Sequence, residues 1–393
     1  MGELAVFNPK EEIPDVFEYV DLESVVDTEM LSHRTEEKAT APSRAQRLAH
    51  TGDLFYQTVR PYQKNNYLFE KPDKHYVFST GYAQLRPFID GYFLLSLVQN
   101  GQFVKTVLDN CTGTSYPAIN ANDLAEIEVF SPKDEQEHHQ IGTYFRNLDN
   151  LITLHQRKYD KLTNVKKSML EKMFPKNGSN VPEIRFKGFS DTWEQRKFDE
   201  VFDCTIPNNT LSRAELNYES GSVRNIHYGD ILIKYGSVVD VQNDEIPFAT
   251  GKSSDDFKGA LLQDGDIIIA DTAEDETTGK ACEIGNSQGL DVVSGLHTMV
   301  CRPRNKMALG YLGYYLNSDA YHHQLLPLMQ GIKVLSLSRT NVQKTMVCYP
   351  KSKAEQQLIA DCFRNLDNLI TLHQRELEKL KNLKKACLEK MFV

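Results

Sequence analysis

The sequence has no apolar run long enough to cross a membrane. Its longest, about Tyr92–Val98, falls far short of the ~20 residues a spanning helix needs. The opening Met-Gly-Glu-Leu-Ala lacks the basic-then-apolar pattern of a secretory leader, so a cytoplasmic protein is expected. Gly2 is not followed by residues that support lipidation. Cysteine is scarce. The seven, at 111, 204, 282, 301, 348, 362 and 387, form no Cys-x-x-Cys pair. The odd count and the spacing argue against a disulfide framework or zinc module, and free, mostly buried thiols are expected. With 40% apolar and 25% charged residues, the composition is that of a globular protein, not of a disordered or fibrous one. At ~100–200 residues per domain, two or three domains are expected.

An overall positive charge is also missing, since 45 basic residues face 54 acidic ones for a net charge of −9. Residues 1–37 carry net −9, 38–125 net +3, 126–181 net +1, 182–335 net −9 and 336–393 net +5. Nucleic-acid binders usually show a basic excess. Here that excess exists only locally, so a DNA-binding chain of this kind would bind weakly alone and borrow positive charge from partners.

Nucleotide and catalytic motifs are absent too. Gly251-Lys252-Ser253 resembles the end of a phosphate-binding loop, but Ile246 stands where the leading glycine belongs, which argues against ATP binding. There is no Gly-x-Gly-x-x-Gly and no Asn/Asp-Pro-Pro-Tyr/Phe tetrad. Asp271, Glu274, Asp275 and Glu276, with Lys280 nearby, could form the metal site of a nuclease. Their irregular spacing favours an exposed acidic loop, and no metal is expected.

What the sequence does contain is a repeat. Phe145–Arg157 recurs unchanged as Phe363–Arg375, and Pro132–Phe174 aligns without gaps to Pro350–Phe392 with 27 identities in 43 positions. Both copies are rich in helix formers. Leu148, Ile152, His155, Tyr159, Leu162, Met169 and Met173 fall at heptad spacing, broken by Lys166. Leu366, Ile370, His373, Leu377, Leu380, Cys387 and Met391 repeat the pattern, broken by Lys384. Such a seam predicts two long helices that pair with each other, with His155 and His373 as polar residues fixing register. Only a short Pro/Gly/Ser segment follows the first helix, and the globular stretch after it feeds straight into the second, so antiparallel pairing is expected. The core of this coiled coil is expected to include Leu148, Ile152, His155, Leu162, Leu366, Ile370, His373 and Leu380. The tandem histidines His138-His139 and His322-His323 are expected at the surface.

The globular halves are diverged but share a grammar. Gly52-Asp53 and Gly265-Asp266 precede apolar strands, and Gly229-Asp230-Ile-Leu-Ile reads as a third instance. Each half then offers a strand ending in Arg-Pro (His75–Pro87 and Ser294–Pro303), an aromatic helix (Tyr92–Gln102 and Tyr311–Gln324), and a small-residue loop at Gly113-Thr114-Ser115 or Gly331-Ile332-Lys333. Each half reads as α+β with a twisted, mostly antiparallel sheet. Polar clusters follow the Gly-Asp strands. Ser43, Arg44, Arg47, Thr58, Arg60, Gln63, Lys64, Asn65, Asn66 and Thr114 are the candidate DNA-binding residues of the first half, since Arg, Gln and Asn can make paired hydrogen bonds to base edges. The second half offers Lys234, Tyr235, Lys252, Ser253, Lys258, Lys280 and Lys333, diluted by acids.

Val181-Pro-Glu-Ile-Arg-Phe-Lys-Gly-Phe-Ser-Asp-Thr-Trp193-Glu, the paired repeats, and Ala41–Leu48 with Gly52–Pro61 together resemble the specificity subunit of type I restriction-modification systems over nearly the whole chain. That resemblance implies an α+β protein with two pseudo-symmetric target recognition domains, at 1–130 and 177–335. They would be joined by two long helices, at 131–176 and 336–393, forming an antiparallel coiled coil. It implies a non-catalytic subunit that reads a bipartite, asymmetric double-stranded DNA target and assembles with two methyltransferase subunits and two restriction subunits. No cofactor of its own is implied; S-adenosylmethionine, ATP and magnesium would sit on those partners. The alternatives are a coiled-coil adaptor that reads no DNA, or a metal-dependent nuclease.

Overall fold

A computed structural model describes residues 1–71, 75–113, 115–176 and 178–392. The chain forms two compact units, Met1–Lys158 with His373–Val393, and Tyr159–Leu372. No helix among the described residues is long and apolar enough to cross a membrane.

The first unit holds two four-stranded sheets rather than one. In the first sheet, Ala5–Phe7, Tyr82–Pro87, Leu54–Gln57 and Tyr67–Leu68 lie in that order, all antiparallel. In the second the order is Arg34–Glu37, Val16–Val20, Tyr76–Ser79 and Ala45–Leu48, with the central pair parallel. Phe55 of one sheet stacks on Phe78 of the other at 3.6 Å between ring centroids, inside an aromatic core with Phe69, Tyr76 and Tyr82. The expected strand over 75–87 is thus a hairpin whose arms enter different sheets. The expected helix over 92–102 is two, Gly91–Gln99 and Gly101–Asp109, because Asn100 is extended and its side chain accepts from Gln102 N and Phe103 N. An extended residue capping the next turn ends one helix and begins another.

The second unit holds a five-stranded sheet in the order Phe202–Asp203, Thr298–Pro303, Ile267–Ala270, Ala281–Gly285 and Val238–Asp240, whose last pair is parallel. A four-stranded sheet orders Leu216–Asn217, Phe248–Ala249, Val223–Ile226 and Asp291–Ser294, again with a parallel last pair. Gly229-Asp230-Ile-Leu-Ile departs from its expected strand and lies in the helix Tyr228–Ile233, where His227 Nδ1 accepts from Gly229 N. Arg213 holds the buried Asp230 in its first turn. Arg185 and Trp193 both bond the buried Glu355 carboxylate, at 2.6 Å from Arg185 Nε and 3.3 Å from Trp193 Nε1.

The shared grammar has a physical meaning. Asp53 is buried and receives Arg86 Nε at 2.9 Å and Nη2 at 3.0 Å, with His50 N on the same carboxylate. Asp266 receives Arg302 at 2.7 and 2.6 Å, with Gln263 N. The Gly-Asp turn and the Arg-Pro strand end are therefore two sides of one bidentate ion pair, built once in each unit. All seven cysteines are free thiols; Cys204 and Cys301 lie 3.3 Å apart in the second core.

Each long helix is continuous, over Glu135–Lys172 and Lys353–Met391. In the first unit Asp149 meets Lys384 at 2.5 Å, and Phe145 stacks near Phe392 at 5.9 Å. In the second, Lys166 meets Asp367 at 2.5 Å, and Phe174 stacks on Phe363 at 5.8 Å. Residue numbers rise along one helix as they fall along the other, so both pairings are antiparallel. Leu148 is buried, and Ile152, His155, Leu162, Leu366, Ile370, His373 and Leu380 are half-buried, while Leu151, Leu154, Leu369 and Leu372 are exposed. The lysines that break the heptads are the ion-pair partners. Each aspartate also accepts from a tyrosine of its own unit, Tyr92 on Asp149 and Tyr314 on Asp367, both at 2.8 Å. Of the tandem histidines, His138 departs from its expected surface place. It is buried against Phe93 and bonded to Ser131 Oγ, because its position faces the core of the first unit.

His155 Nδ1 and His373 Nδ1 lie 3.1 Å apart. Only one proton fits between them, and desolvation first, then the His155 and Lys158 charges, hold His373 below the usual histidine value. A lowered basic pKa means the unfolded chain takes up the proton first. This contribution is thus present above about pH 6.5 and is lost as pH falls toward the folded value. Thermal melts between pH 5 and 8 are expected to show acid weakening in the parent that shrinks in the His155→Leu/His373→Leu double variant. Equal pH slopes would remove the pair from the account.

Candidate nucleic-acid interface

In the first unit, separate sequence segments meet at the hairpin turn Ser79–Tyr82. Thr80 N donates to Arg44 O at 2.8 Å. Thr58 donates to Gly81 O through both N, at 3.0 Å, and Oγ1, at 2.8 Å. Val59 bridges to Ala118, and Arg60 N donates to Pro117 O at 2.8 Å. The segments 43–47 and 58–60 thereby meet at the turn, and 115–119 lies against 58–60. Arg60 takes a left-handed backbone, φ 55°, as the residue before a 3-10 turn. Its guanidinium lies 4.4 Å from the centre of the Tyr116 ring, and Tyr116 is itself exposed.

The fold uses several candidates internally. Thr58 is buried on Gly81, and Asn66 is 1% exposed with Oδ1 accepting from Gln57 N. Neither side chain is presented to a partner. Gln63 Oε1 accepts from Gln57 Nε2, Asn65 Oδ1 accepts from Asp27 N, and Lys64 Nζ donates to Gln99 O at 2.8 Å. Burial lowers the Lys64 pKa. Ser43 and Arg44 are exposed and Arg47 is half-buried; Thr114 lies outside the described residues.

The arginines divide sharply. Arg34 pairs with Asp21 and Glu36, Arg86 with Asp53 and Glu11, and Arg146 with Glu70. Among the described residues, the guanidinium groups of Arg44, Arg47 and Arg60 meet no carboxylate. Arg157 and Arg375, on the long helices, meet none either; what sets Arg44, Arg47 and Arg60 apart is that their segments gather around the Ser79–Tyr82 turn.

The second unit treats its candidates differently. Lys234 pairs with Glu245 at 2.7 Å and lies over the Tyr218 ring. Tyr235 is buried, which raises its pKa, so its ring is part of the core rather than a surface contact. Ser253 caps a 3-10 turn with Asp256, and exposed Lys258 stands 4.0 Å from Asp255. Lys252 is exposed. Lys280 donates to Leu232 O at 3.0 Å, and burial lowers its pKa. It lines a 1230 Å³ groove together with Lys166, Glu171, Asp275, Asp319 and His322, a lining of mixed sign. Lys333 is exposed beside Ile332, which is 100% exposed. Their turn is closed by the Gln330–Ser336 bridge, as Thr112–Ala118 closes the corresponding turn of the first unit. Exposed Tyr116 and Ile332, which the sequence pattern alone does not single out, both lie on these corresponding turns. Among the described residues no three His, Cys, Asp or Glu side chains converge as a metal site.

Two long helices paired antiparallel and an α+β body in each unit built on the same Asp–Arg pair define the architecture. The family of type I restriction modification DNA specificity domains matches residues 37–164 and 190–382, and the chain belongs to that family. It is similar to the type I restriction enzyme MjaVIII specificity subunit of Methanocaldococcus jannaschii, with 23% identity over 307 residues, 75% of this chain and 68% of that protein. Its fold is like that of the type I restriction-modification S subunit from M. genitalium, with a TM-score of 0.57 at 15% identity over 100% of this chain and 94% of the other. It is also like a chain solved in work on complex assembly and conformational transition of the type I R-M system. There the TM-score is 0.51 at 20% identity, covering 100% and 96% of the two chains.

Proposed function

We propose that this chain is the non-catalytic reading subunit of a type I restriction-modification complex acting in the cytoplasm. It recognises a bipartite, asymmetric duplex target, one half-site through residues 1–130 and the other through residues 177–335. It directs adenine methylation by two methyltransferase subunits and ATP-dependent cleavage by two restriction subunits. S-adenosylmethionine, ATP and magnesium belong to those partners.

The observation that carries the reading is the gathering of Arg44, Arg47 and Arg60, without carboxylates, around one hairpin turn, while Arg34, Arg86 and Arg146 are neutralised. Phosphates and guanine edges are the acceptors such a gathering suits. Two equal partners have a support of their own. The first unit exposes Leu151, Leu154 and Leu383, and the second exposes the repeat-equivalent Leu369, Leu372 and Val165. Two matching apolar patches suit two copies of one partner.

Selection from random duplexes by this chain with its methyltransferase subunits tests the proposal. The expected outcome is one motif of two defined blocks with a spacer of fixed length, and affinity that falls steeply with salt. Binding without sequence preference overturns it.

A further inference from the structure

Arg47 lies on the strand Ala45–Leu48, which pairs antiparallel with Tyr76–Ser79. The register runs Ala45 to Ser79, then Arg47 to Phe78, with an irregularity between. Two steps on one strand answer one step on the other, so Gln46 is the extra residue of a β-bulge. Side chains alternate faces along a strand, and a bulge shifts that alternation by one. Ala45 and Leu48 accordingly pack on the same cluster of Phe17, Tyr19 and Val77, although they are three residues apart. In a regular strand Arg47 would share the face of Ala45. The bulge places it opposite Phe78 instead, which belongs to the other, aromatic cluster.

The side chain so redirected is left unsatisfied. Arg47 Nε is buried without a hydrogen-bond partner, and burial is the cause that lowers its pKa, with no carboxylate nearby to oppose it. Burying part of a cation without a partner costs free energy. Nε is closed to an outside acceptor, whereas the two Nη groups are not among the buried atoms and meet no acceptor among the described residues, so an acceptor supplied from outside would meet the Nη pair. Arg44 and Arg60 differ in setting. Arg44 is exposed, and Arg60 rests on the exposed Tyr116 ring. Exposed cations suit phosphates, which fix position; a confined guanidinium suits a base edge, which fixes sequence. With Nε enclosed, Arg47 is left with its two Nη groups, the end-on pair that matches guanine O6 and N7.

We propose that Arg47 reads a guanine in the major groove, so that the half-site recognised by the first unit contains a G·C pair at a fixed place, while Arg44 and Arg60 hold the flanking phosphates. This rests on the DNA-reading function proposed above and names one element of its target.

The test compares motifs selected by the parent, Arg47→Met and Arg60→Ala chains, each assembled with its methyltransferase subunits. Methionine keeps the apolar stem and removes the charge. Arg47→Met is expected to lose roughly 10- to 100-fold discrimination at one G·C pair of one half-site, with the other half-site intact. Its melting temperature should hold or rise, since an unpaired charge leaves the fold. Arg60→Ala is expected to weaken all sequences alike, keep the motif and lower the salt slope by about one. The proposal is overturned if Arg47→Met keeps the parental motif and affinity, if it weakens all sequences equally, or if it melts well below the parent. A parental half-site without any G·C pair overturns it as well. A parent chain that selects no motif at all fails the DNA-reading function itself, which separates the two outcomes.

Discussion

Asp266→Ala will lower the melting temperature of the second unit by roughly 6–12 °C, and Asp53→Ala will do the same to the first. Each carboxylate is 1% exposed, and it joins an arginine to the backbone of its own turn. Removing one member of a buried pair costs about 3–5 kcal/mol, because the remaining charge and the backbone N–H lose their acceptor. Arg302 and Arg86 are about a third exposed and can turn to water, which places the expectation near the lower end, about 3 kcal/mol. At roughly 2–4 °C per kcal/mol for units of this size, the stated range follows. Asp255→Ala is the contrast: its exposed pair with Lys258 spans 4.0 Å, and such pairs contribute ~0–1 kcal/mol. Calorimetry on the three variants checks the order. An Asp266→Ala melt matching that of Asp255→Ala would mean the shared Gly-Asp and Arg-Pro signature has no structural role.

That signature marks how far the sequence could be read. Gly-Asp and Arg-Pro were visible in both halves, but their pairing was not, because 33 residues separate Asp53 from Arg86 and 36 separate Asp266 from Arg302. The long helices were legible because a heptad seam is a local pattern repeated many times. Lys166 and Lys384 looked like defects in that seam. Their partners Asp367 and Asp149 sit inside the unchanged thirteen-residue segment, so the sequence holds both the breaks and their compensation but not the register that joins them. Gly229-Asp230-Ile-Leu-Ile failed for a different reason. A short apolar run after Gly-Asp fits a strand or a buried helical turn equally well, and only the His227 cap and the Arg213 contact decide between them.

The candidate interface was legible as a region and not as a set of residues. Asn, Gln and Lys side chains that can meet a base edge can equally close a turn. Two left-handed residues, Arg60 and Lys64, bracket a turn whose backbone and side-chain groups are satisfied by Gln63, Asn66 and Gln57. Composition marks the cluster as polar, while hydrogen-bond geometry separates the residues holding the loop from those left over. In the second unit the same logic removes Tyr235 and Lys234 and leaves Lys252 and Lys333 exposed.

Exchange of residues 182–335 for the corresponding stretch of a relative with different specificity should change one half of the methylated site and leave the other half and the spacer unchanged. The substituted stretch begins after the first long helix and ends before the second, so Glu135–Lys172 and Lys353–Met391 remain intact. Some contacts do cross the junctions. Arg185 and Trp193 reach Glu355, and Tyr314 reaches Asp367, so the donor must supply an arginine, a tryptophan and a tyrosine at these positions. With those kept, the side-chain hydrogen bonds from the exchanged stretch to the long helices are preserved; Ala308 N on Gln356, Arg364 on Leu309 O and Ile184 N on Lys172 O use only the backbone of that stretch. Base readout depends on side chains at the groove surface, and phosphate contacts elsewhere carry no sequence information. The exchanged half should therefore bring its own base preferences and nothing else. Mapping methylated adenines in cells carrying the hybrid gives the answer directly. A hybrid that alters both half-sites, or changes the spacer, would show that recognition is shared between the halves. A hybrid that assembles and still methylates the original site would exclude residues 182–335 from reading DNA.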